Sequence, residues 1–344
     1  MSAYPTAIDL FAGAGGLTLG LRRARFRVIG AVEIDPLATE TYRANCPGVR
    51  LWESDIRELS VARVLRELEL KPGRLDLLAG CPPCQGFSSL RSLNGRHTVS
   101  DERNELVFEF ERFVRGLRPK AVMLENVPGL ATDARLASLT SALEEMGYLT
   151  VTKVLDASLF GVPQRRRRMI LVGGRRLAIP LAPEGSPTLT VRDAIGDLAP
   201  AGTSGDPLHD VGEQRQPHVS RLIARVPRDG GSRSDLGPAS QLACHRRCDG
   251  FSDIYGRMSW DEVAPTITSG CINPSKGRFL HPDENRAITL REAALLQGFP
   301  DHYRFSLRQG KYKAAEMIGN ALPPEFVKRH ALEIRRQLSS AGAP

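Results

Sequence analysis

Asp9-Leu10-Phe11-Ala12-Gly13-Ala14-Gly15-Gly16-Leu17 decides the fold, because it joins an apolar run at residues 7–10 to a stretch with helical spacing. Closely spaced glycines at a strand-to-helix turn let the backbone approach a ligand that side chains would block, and the helix start offers unpaired N–H groups. A nucleotide-like ligand is the natural occupant. The dinucleotide fingerprint G-x-G-x-x-G wants a third glycine at position 18, where Thr18 stands, which weakens a pyrophosphate cradle and argues against a dehydrogenase. The alternative is a tight turn without a ligand, and the position directly after a strand argues against it.

Outward from this loop, apolar runs recur at residues 28–34, 75–79 and 121–124, with helical stretches between them. Residues 105–117 set Leu106, Phe110, Phe113, Val114 and Leu117 on one helical face. This alternation predicts an α/β fold with a doubly wound, mostly parallel sheet. Runs at residues 151–155 and 169–172 read as two more strands around an arginine-rich loop. From residue 175 to 282 the texture turns to Pro, Gly, Ser, Asp and Arg, which predicts a second, smaller, loop-rich domain with a hairpin over residues 255–270. Helical character returns at residues 289–296, and residues 324–338 read as a closing helix started by Pro323 and Pro324. The expected organisation is a first domain at residues 1–174, a second at 175–282, and a segment at 283–344 that returns to the first. A chain of 344 residues supports two domains.

Charge and cysteine usage bound the function classes. The chain has 47 basic and 39 acidic residues, a net charge of +8, which favours a polyanionic partner without establishing one. No leader-like or bilayer-spanning apolar stretch is apparent, and the reading is a soluble protein of the cytoplasm. Six scattered cysteines do not resemble a disulfide framework, so reduced thiols are expected.

Several polar groups stand at or beside strand ends, where open α/β sheets keep their sites. Glu33 closes the second apolar run at the distance where a carboxylate reaches ribose hydroxyls, and Asp55 follows a third short segment. Gly80-Cys81-Pro82-Pro83-Cys84-Gln85-Gly86-Phe87-Ser88-Ser89 presents cysteines on a proline-stiffened loop. A zinc half-site would need the irregular Cys244-His245-x-x-Cys248 as its second half, and a redox pair fits the two intervening prolines poorly. A nucleophile is the reading that remains, and it needs a neighbour to stabilise its thiolate. Glu125 emerges from an apolar run in Glu125-Asn126-Val127-Pro128, where partial burial favours a protonated or proton-sharing carboxyl, and an ordinary strand-end acid is an equal alternative for this segment read alone. In Gln164-Arg165-Arg166-Arg167-Arg168, alternate side chains point to opposite faces, which allows one set to face a site and the other solvent or phosphate, with a merely solvated charge run as the usual alternative.

Taken in order, DLFAGAGG, VEID, ESDI, GCPPCQGFSS, ENVPG, QRRRR, REAALLQGFP and IGNALPP resemble the cytosine-5 DNA methyltransferase family of the bacterial restriction-modification type, over residues 7–174 and 285–330. The resemblance implies a Rossmann-like fold that uses S-adenosyl-L-methionine, with no metal, and makes residues 175–282 a target-recognition domain. It makes Cys84, not Cys81, the nucleophile, with Glu125, Arg166 and Arg168 as catalytic partners. Phe11, Gly13, Gly15, Glu33, Ile34, Asp55, Ile56 and Asn320 fall in its cofactor pocket, and Gln85, Ser88, Asn126 and Gln164 in its substrate site. It further implies a monomer acting on double-stranded DNA, alongside a restriction endonuclease of the same site where one exists. The loop at residues 86–103 reads as a lid over a flipped base. Met317 stands where the family often has glutamine, which touches a contact near the last motif and not the chemistry. A tRNA cytosine-5 methyltransferase is the nearest alternative, and Gln85 after Cys84 opposes it. A Rossmann oxidoreductase and a catalytically silent DNA-binding protein are the readings from other classes.

Overall fold

The computed structural model describes residues 4–83, 105–237 and 253–341. Cys84, Gln85, Ser88, the lid segment and the Cys244/Cys248 pair lie outside these residues. By its contacts the chain divides into two units, one comprising residues 1–160, 167–185 and 322–344, the other residues 161–166 and 186–321.

Among the described residues of the first unit, seven strands form one sheet: β1 (Thr6–Leu10), β2 (Arg27–Glu33), β3 (Arg50–Glu53), β4 (Leu77–Gly80), β5 (Ala121–Asn126), β6 (Tyr148–Asp156) and β7 (Arg167–Arg175). Their order is β3-β2-β1-β4-β5-β7-β6. The first five strands pair in parallel, and β7 runs antiparallel to both β5 and β6. The helices of this unit are α1 (Gly16–Arg23), α2 (Pro36–Asn45), α3 (Val61–Glu67), α4 (Leu106–Leu117) and α5 (Ala134–Glu145), joined by the closing helix. The second unit holds α6 (Val191–Ile195), α7 (Pro217–Arg225), α8 (Leu290–Leu296) and α9 (Lys311–Asn320). The closing helix, α10 (Pro324–Ala341), returns the chain to the first unit. The strand order reverses between β1 and β4, which leaves a crevice at the carboxyl ends of those strands where such sheets bind ligands.

Packing follows the sequence pattern. Helix α4 buries Val107, Phe110, Phe113, Val114 and Leu117 against Ile8, Leu10, Leu78, Val122 and Leu124 on one face of the sheet. Each such side chain contributes roughly 1.5–3 kcal/mol on burial. Alternation along β1 sends Asp9 to the opposite face, toward α1 and α2. Helix α10 is fixed by Phe326 and His330, which pack edge-on and tilted against Phe160. Helix α8 starts at the capping box of Thr289 and Glu292. The hairpin anticipated over residues 255–270 is absent, and that segment makes isolated bridges only, Gln164 to Ala264 and Arg257 to Leu280. Its hydrogen bonds go instead to neighbouring loops, as in Met258 N–H to Leu280 O at 2.9 Å and Ala264 N–H to Pro163 O at 3.1 Å.

Two buried titratable groups in the first unit oppose each other in pH dependence. Burial pushes the Asp9 carboxyl up to about 7, against the lowering hydrogen bond from Thr18, and nearby Glu33 adds to the rise. Burial pushes His330 down to about 4, while its Nδ1 accepts from Ala182 N–H at 3.2 Å. A raised carboxyl favours the protonated folded state, so its contribution is complete below about pH 4 and lost as pH rises through about 7. A depressed imidazole contributes fully above about pH 6.5, and that contribution is lost as pH falls through about 4. Asp9→Asn should therefore gain stability over wild type above pH 7, on the order of 4 kcal/mol at the limit. Urea unfolding from pH 5 to 8.5 checks it, and parallel profiles for the two proteins would refute it.

Candidate functional site

The glycine loop folds around its own backbone. Phe11 and Gly13 take left-handed φ values of 64° and 52°, and Gly15 caps α1 at φ 94°. A side chain at Gly13 would meet no atom within 4 Å, so the loop opens onto free space there and only its φ demands glycine. Glu33 closes the other side. Its Oε2 accepts Gly13 N–H at 2.7 Å, and its Oε1 accepts Ile34 and Asp35 N–H at 2.9 and 2.8 Å. Ile34 leaves 61% of its surface exposed beside this carboxylate, an apolar face next to acceptors. Asp55 lies in the same unit, forked onto Arg57, whose guanidinium holds the carboxyl below its ordinary range. Ile56 is buried in the core against α4.

Thr18, read from sequence only as a missing glycine, pins this loop from below. Fully buried, its hydroxyl donates to Asp9 Oδ2 at 2.6 Å and lies 2.8 Å from the Tyr42 hydroxyl. Asp9 thus ties β1, α1 and α2 together. The signal was available in the sequence, as an acid inside an apolar strand followed nine residues later by a hydroxyl.

The second cluster sits at the carboxyl ends of β4 and β5. Glu125 pairs with Ile170 across β5 and β7, so Arg168, two residues along β7, shares its face. The Arg168 Nε lies 3.0 Å from Glu125 Oε1, with both side chains largely shielded from solvent. Cys81, in the turn after β4, brings its thiol to the Glu125 carboxyl. Burial first, and then that carboxylate, push the Cys81 thiol well above its ordinary value, although the residue keeps some surface accessible. Asn126 Nδ2 donates to Pro82 O at 3.0 Å, which ties the proline turn to β5. The chain leaves this cluster through Pro83, one residue before Cys84.

The arginine run alternates as anticipated, with Arg165 and Arg167 exposed and Gln164 and Arg166 buried. The buried pair belongs to the second unit. Arg166 donates to Ile267 O and Gly319 O at 2.9 Å each and to Ala321 O at 3.2 Å. Gln164 Oε1 accepts Ile267 N–H at 2.8 Å, and its amide donates to Gln297, whose own amide reaches Ile318 O at 2.8 Å and Ala321 O at 2.9 Å. Together these side chains hold the backbone on both sides of Asn320, which is itself exposed at the end of α9. A side chain at Gly319 would strike the Thr268 backbone at 2.1 Å, so that segment packs main chain on main chain. Gln297 was not singled out from the sequence, although it lies in REAALLQGFP. Among the described residues no group of three or more His, Cys, Asp or Glu side chains is arranged to hold a metal, and no helix is long and apolar enough to cross a membrane.

A family model for C-5 cytosine-specific DNA methylases matches residues 6–336. The chain is 36% identical to the Type II methylase M.HgiDII of Herpetosiphon aurantiacus, covering 96% of this chain and 95% of that one. It is also 36% identical to the Type II methyltransferase M1.HphI of Haemophilus parahaemolyticus, covering 93% and 83%. The solved structure of a prophage-encoded protein from E. coli superposes with a TM-score of 0.71 at 27% identity, covering 97% and 99%.

Proposed function

Because the chain belongs to the C-5 cytosine-specific DNA methylase family, we propose that it transfers a methyl group from S-adenosyl-L-methionine to carbon 5 of a cytosine flipped out of duplex DNA, through a covalent adduct of Cys84. At the coarser level it is a cytosine-5 DNA methyltransferase of the Type II restriction-modification kind. The observation that carries the finer reading is the cluster of Glu125, Arg168 and Cys81 around the turn that leads into Cys84.

The glycine loop suits the cofactor. Open space at Gly13, the Glu33 carboxylate and the exposed Ile34 side chain offer a backbone approach, a hydroxyl acceptor and an apolar face to an adenosine. The cofactor, when bound, supplies an electrophilic methyl group. Carbon 5 of cytosine is too weak a nucleophile to take it unaided. The Cys84 thiolate adds to carbon 6, and Glu125 shares a proton with ring nitrogen 3, so that electron density collects at carbon 5. After carbon 5 is alkylated, loss of its proton restores the double bond and expels the Cys84 thiolate. Arg168 holds Glu125 in place and adds positive charge beside the nucleophile's loop. The base must leave the stack for any of this to happen.

Residues 175–282 carry sequence choice in this reading, as irregular loops able to present Arg, Asn or Gln to base edges without disturbing the sheet. Incubation with methyl-labelled cofactor should label duplex DNA and leave tRNA unlabelled. A chimera carrying the matching segment of a relative of different specificity should methylate the relative's site, as mapped by bisulfite sequencing. Labelled tRNA with unlabelled DNA would overturn the substrate, and an active chimera keeping the original site would overturn the assignment of residues 175–282.

A further inference from the structure

Helix α7 has an apolar side and an exposed side on which basic residues stand without an acid. Residues 214–228, QRQPHVSRLIARVPR, hold four arginines and a histidine without one acid. Leu222 and Ile223 pack with Val226, Ile254, Tyr255 and Leu280 in a small core of the second unit. That anchoring leaves His218, Arg221 and Arg225 exposed at helical spacing, with exposed Arg228 three residues beyond the helix end.

Basic residues near a helix C-terminus ordinarily offset its unpaired carbonyls. Here one of those carbonyls, Ile223 O, and the carbonyl of the cap residue Val226 have another donor. Buried Arg257 gives Nη2–H to Ile223 O at 3.0 Å and Nε–H to Val226 O at 3.1 Å. Its remaining hydrogen bonds go to His281 O, Glu284 O and the Asn285 side-chain oxygen, none of them a carboxylate. Arg228 lies close enough to oppose the Arg257 charge, with Asp283 acting the other way. Asp229, beside Arg228 in sequence, turns its carboxylate to Ser259 and Trp260. Among the described residues, Arg221 and Arg228 make no ion pair, whereas Arg215, at the start of the run, is paired with Glu213. A surface that concentrates like charge over a buried arginine is stabilised by a polyanion.

We propose that the exposed face of α7, formed by His218, Arg221, Arg225 and Arg228, binds the phosphate backbone of the DNA substrate and anchors it without reading its sequence. The proposal rests on duplex DNA being the substrate and assigns this part of residues 175–282 to affinity, not choice. From His218 to Arg225 the helix rises about 10 Å, the axial rise of about three phosphates on one strand. Arginines held on an ordered backbone fork onto phosphate oxygens with the main-chain ordering cost already met by the fold.

The test is the salt dependence of duplex binding by an Arg221→Gln, Arg228→Gln double variant, with melting temperature as the control for folding. Two lost phosphate contacts should lower the slope of log affinity against log salt by about 1.8, so that binding equal to wild type near 1 M salt is about 60-fold weaker near 0.1 M. The loss should be the same on cognate and non-cognate duplexes, because phosphates carry no sequence information. An unchanged slope in a variant compared with a wild type that binds and methylates DNA would overturn this surface and leave the enzymatic reading standing. A loss confined to the cognate duplex would also overturn it, by making the face a reader of bases. A wild type without salt-dependent duplex binding would remove both readings.

Discussion

Cys84→Ser should lower methyl transfer to duplex DNA by about 10⁴-fold or more, while Cys81→Ser stays within about tenfold of wild type. The contrast rests on chemistry at two cysteines three residues apart. A thiol acts as a nucleophile through its thiolate, and Cys81 is poorly placed to form one, since burial and the Glu125 carboxylate push its thiol well above the ordinary value. Its contact with Glu125 is one a serine hydroxyl can also make. Cys84 lies outside the described residues, and its role follows from its place in Pro82-Pro83-Cys84-Gln85, beyond a turn pinned by the Asn126 amide to Pro82 O. Duplexes with 5-fluorocytosine at the target should trap wild type as a denaturation-resistant adduct, because fluorine cannot leave carbon 5 as a proton does. Cys84→Ser should form none. Substantial turnover by Cys84→Ser, or an adduct that persists in Cys84→Ser and is lost in Cys81→Ser, would sink the covalent assignment.

Much of the sheet was legible because buried parallel strands are short apolar runs, and residues 7–10, 28–34 and 121–124 show them plainly. Strand β3, Arg50-Leu51-Trp52-Glu53, was visible only as a short segment, because as an edge strand it carries charge at both ends. Glu125 could be picked out as a strand-end acid, but its partner could not be fixed, since Arg168 reaches it through antiparallel register and not through sequence spacing. The same limit hid the division of the arginine run. Gln164, Arg166 and Arg168 are evenly spaced, yet the first two are buried on carbonyls of the second unit and the third is beside Glu125 in the first. The anticipated hairpin at residues 255–270 failed for a related reason. Regular-looking polarity does not show whether a segment's hydrogen bonds close on itself or on loops elsewhere in the sequence, and here they close elsewhere.

Glu125→Gln should lower kcat by about 10²–10⁴-fold, the usual range for a lost general acid–base group, while the Kd for the cofactor moves less than about threefold. Glutamine keeps the shape of the side chain and can still donate a hydrogen bond to ring nitrogen 3. It cannot hand over a proton there, so cysteine addition loses its electron sink. Affinity should be spared because Glu125 is engaged with Arg168 and Cys81, whereas the groups suited to adenosine are Gly13, Glu33 and Ile34. The substitution also strips a largely shielded Arg168 of its counter-charge, which by itself can cost stability on the order of 3–5 kcal/mol. A Glu125→Gln, Arg168→Gln double variant isolates the stability cost, since it removes the uncompensated cation and should recover the melting temperature, while its rate stays low for want of both the carboxyl and the Arg168 charge. Calorimetry gives the cofactor Kd, and single-turnover kinetics on duplex DNA gives the chemical rate. A large loss of cofactor affinity with an unchanged single-turnover rate would make Glu125 a binding residue. Recovery of the rate in the double variant would overturn the catalytic roles given to both Glu125 and Arg168, because that variant lacks the proton-sharing carboxyl and the guanidinium alike.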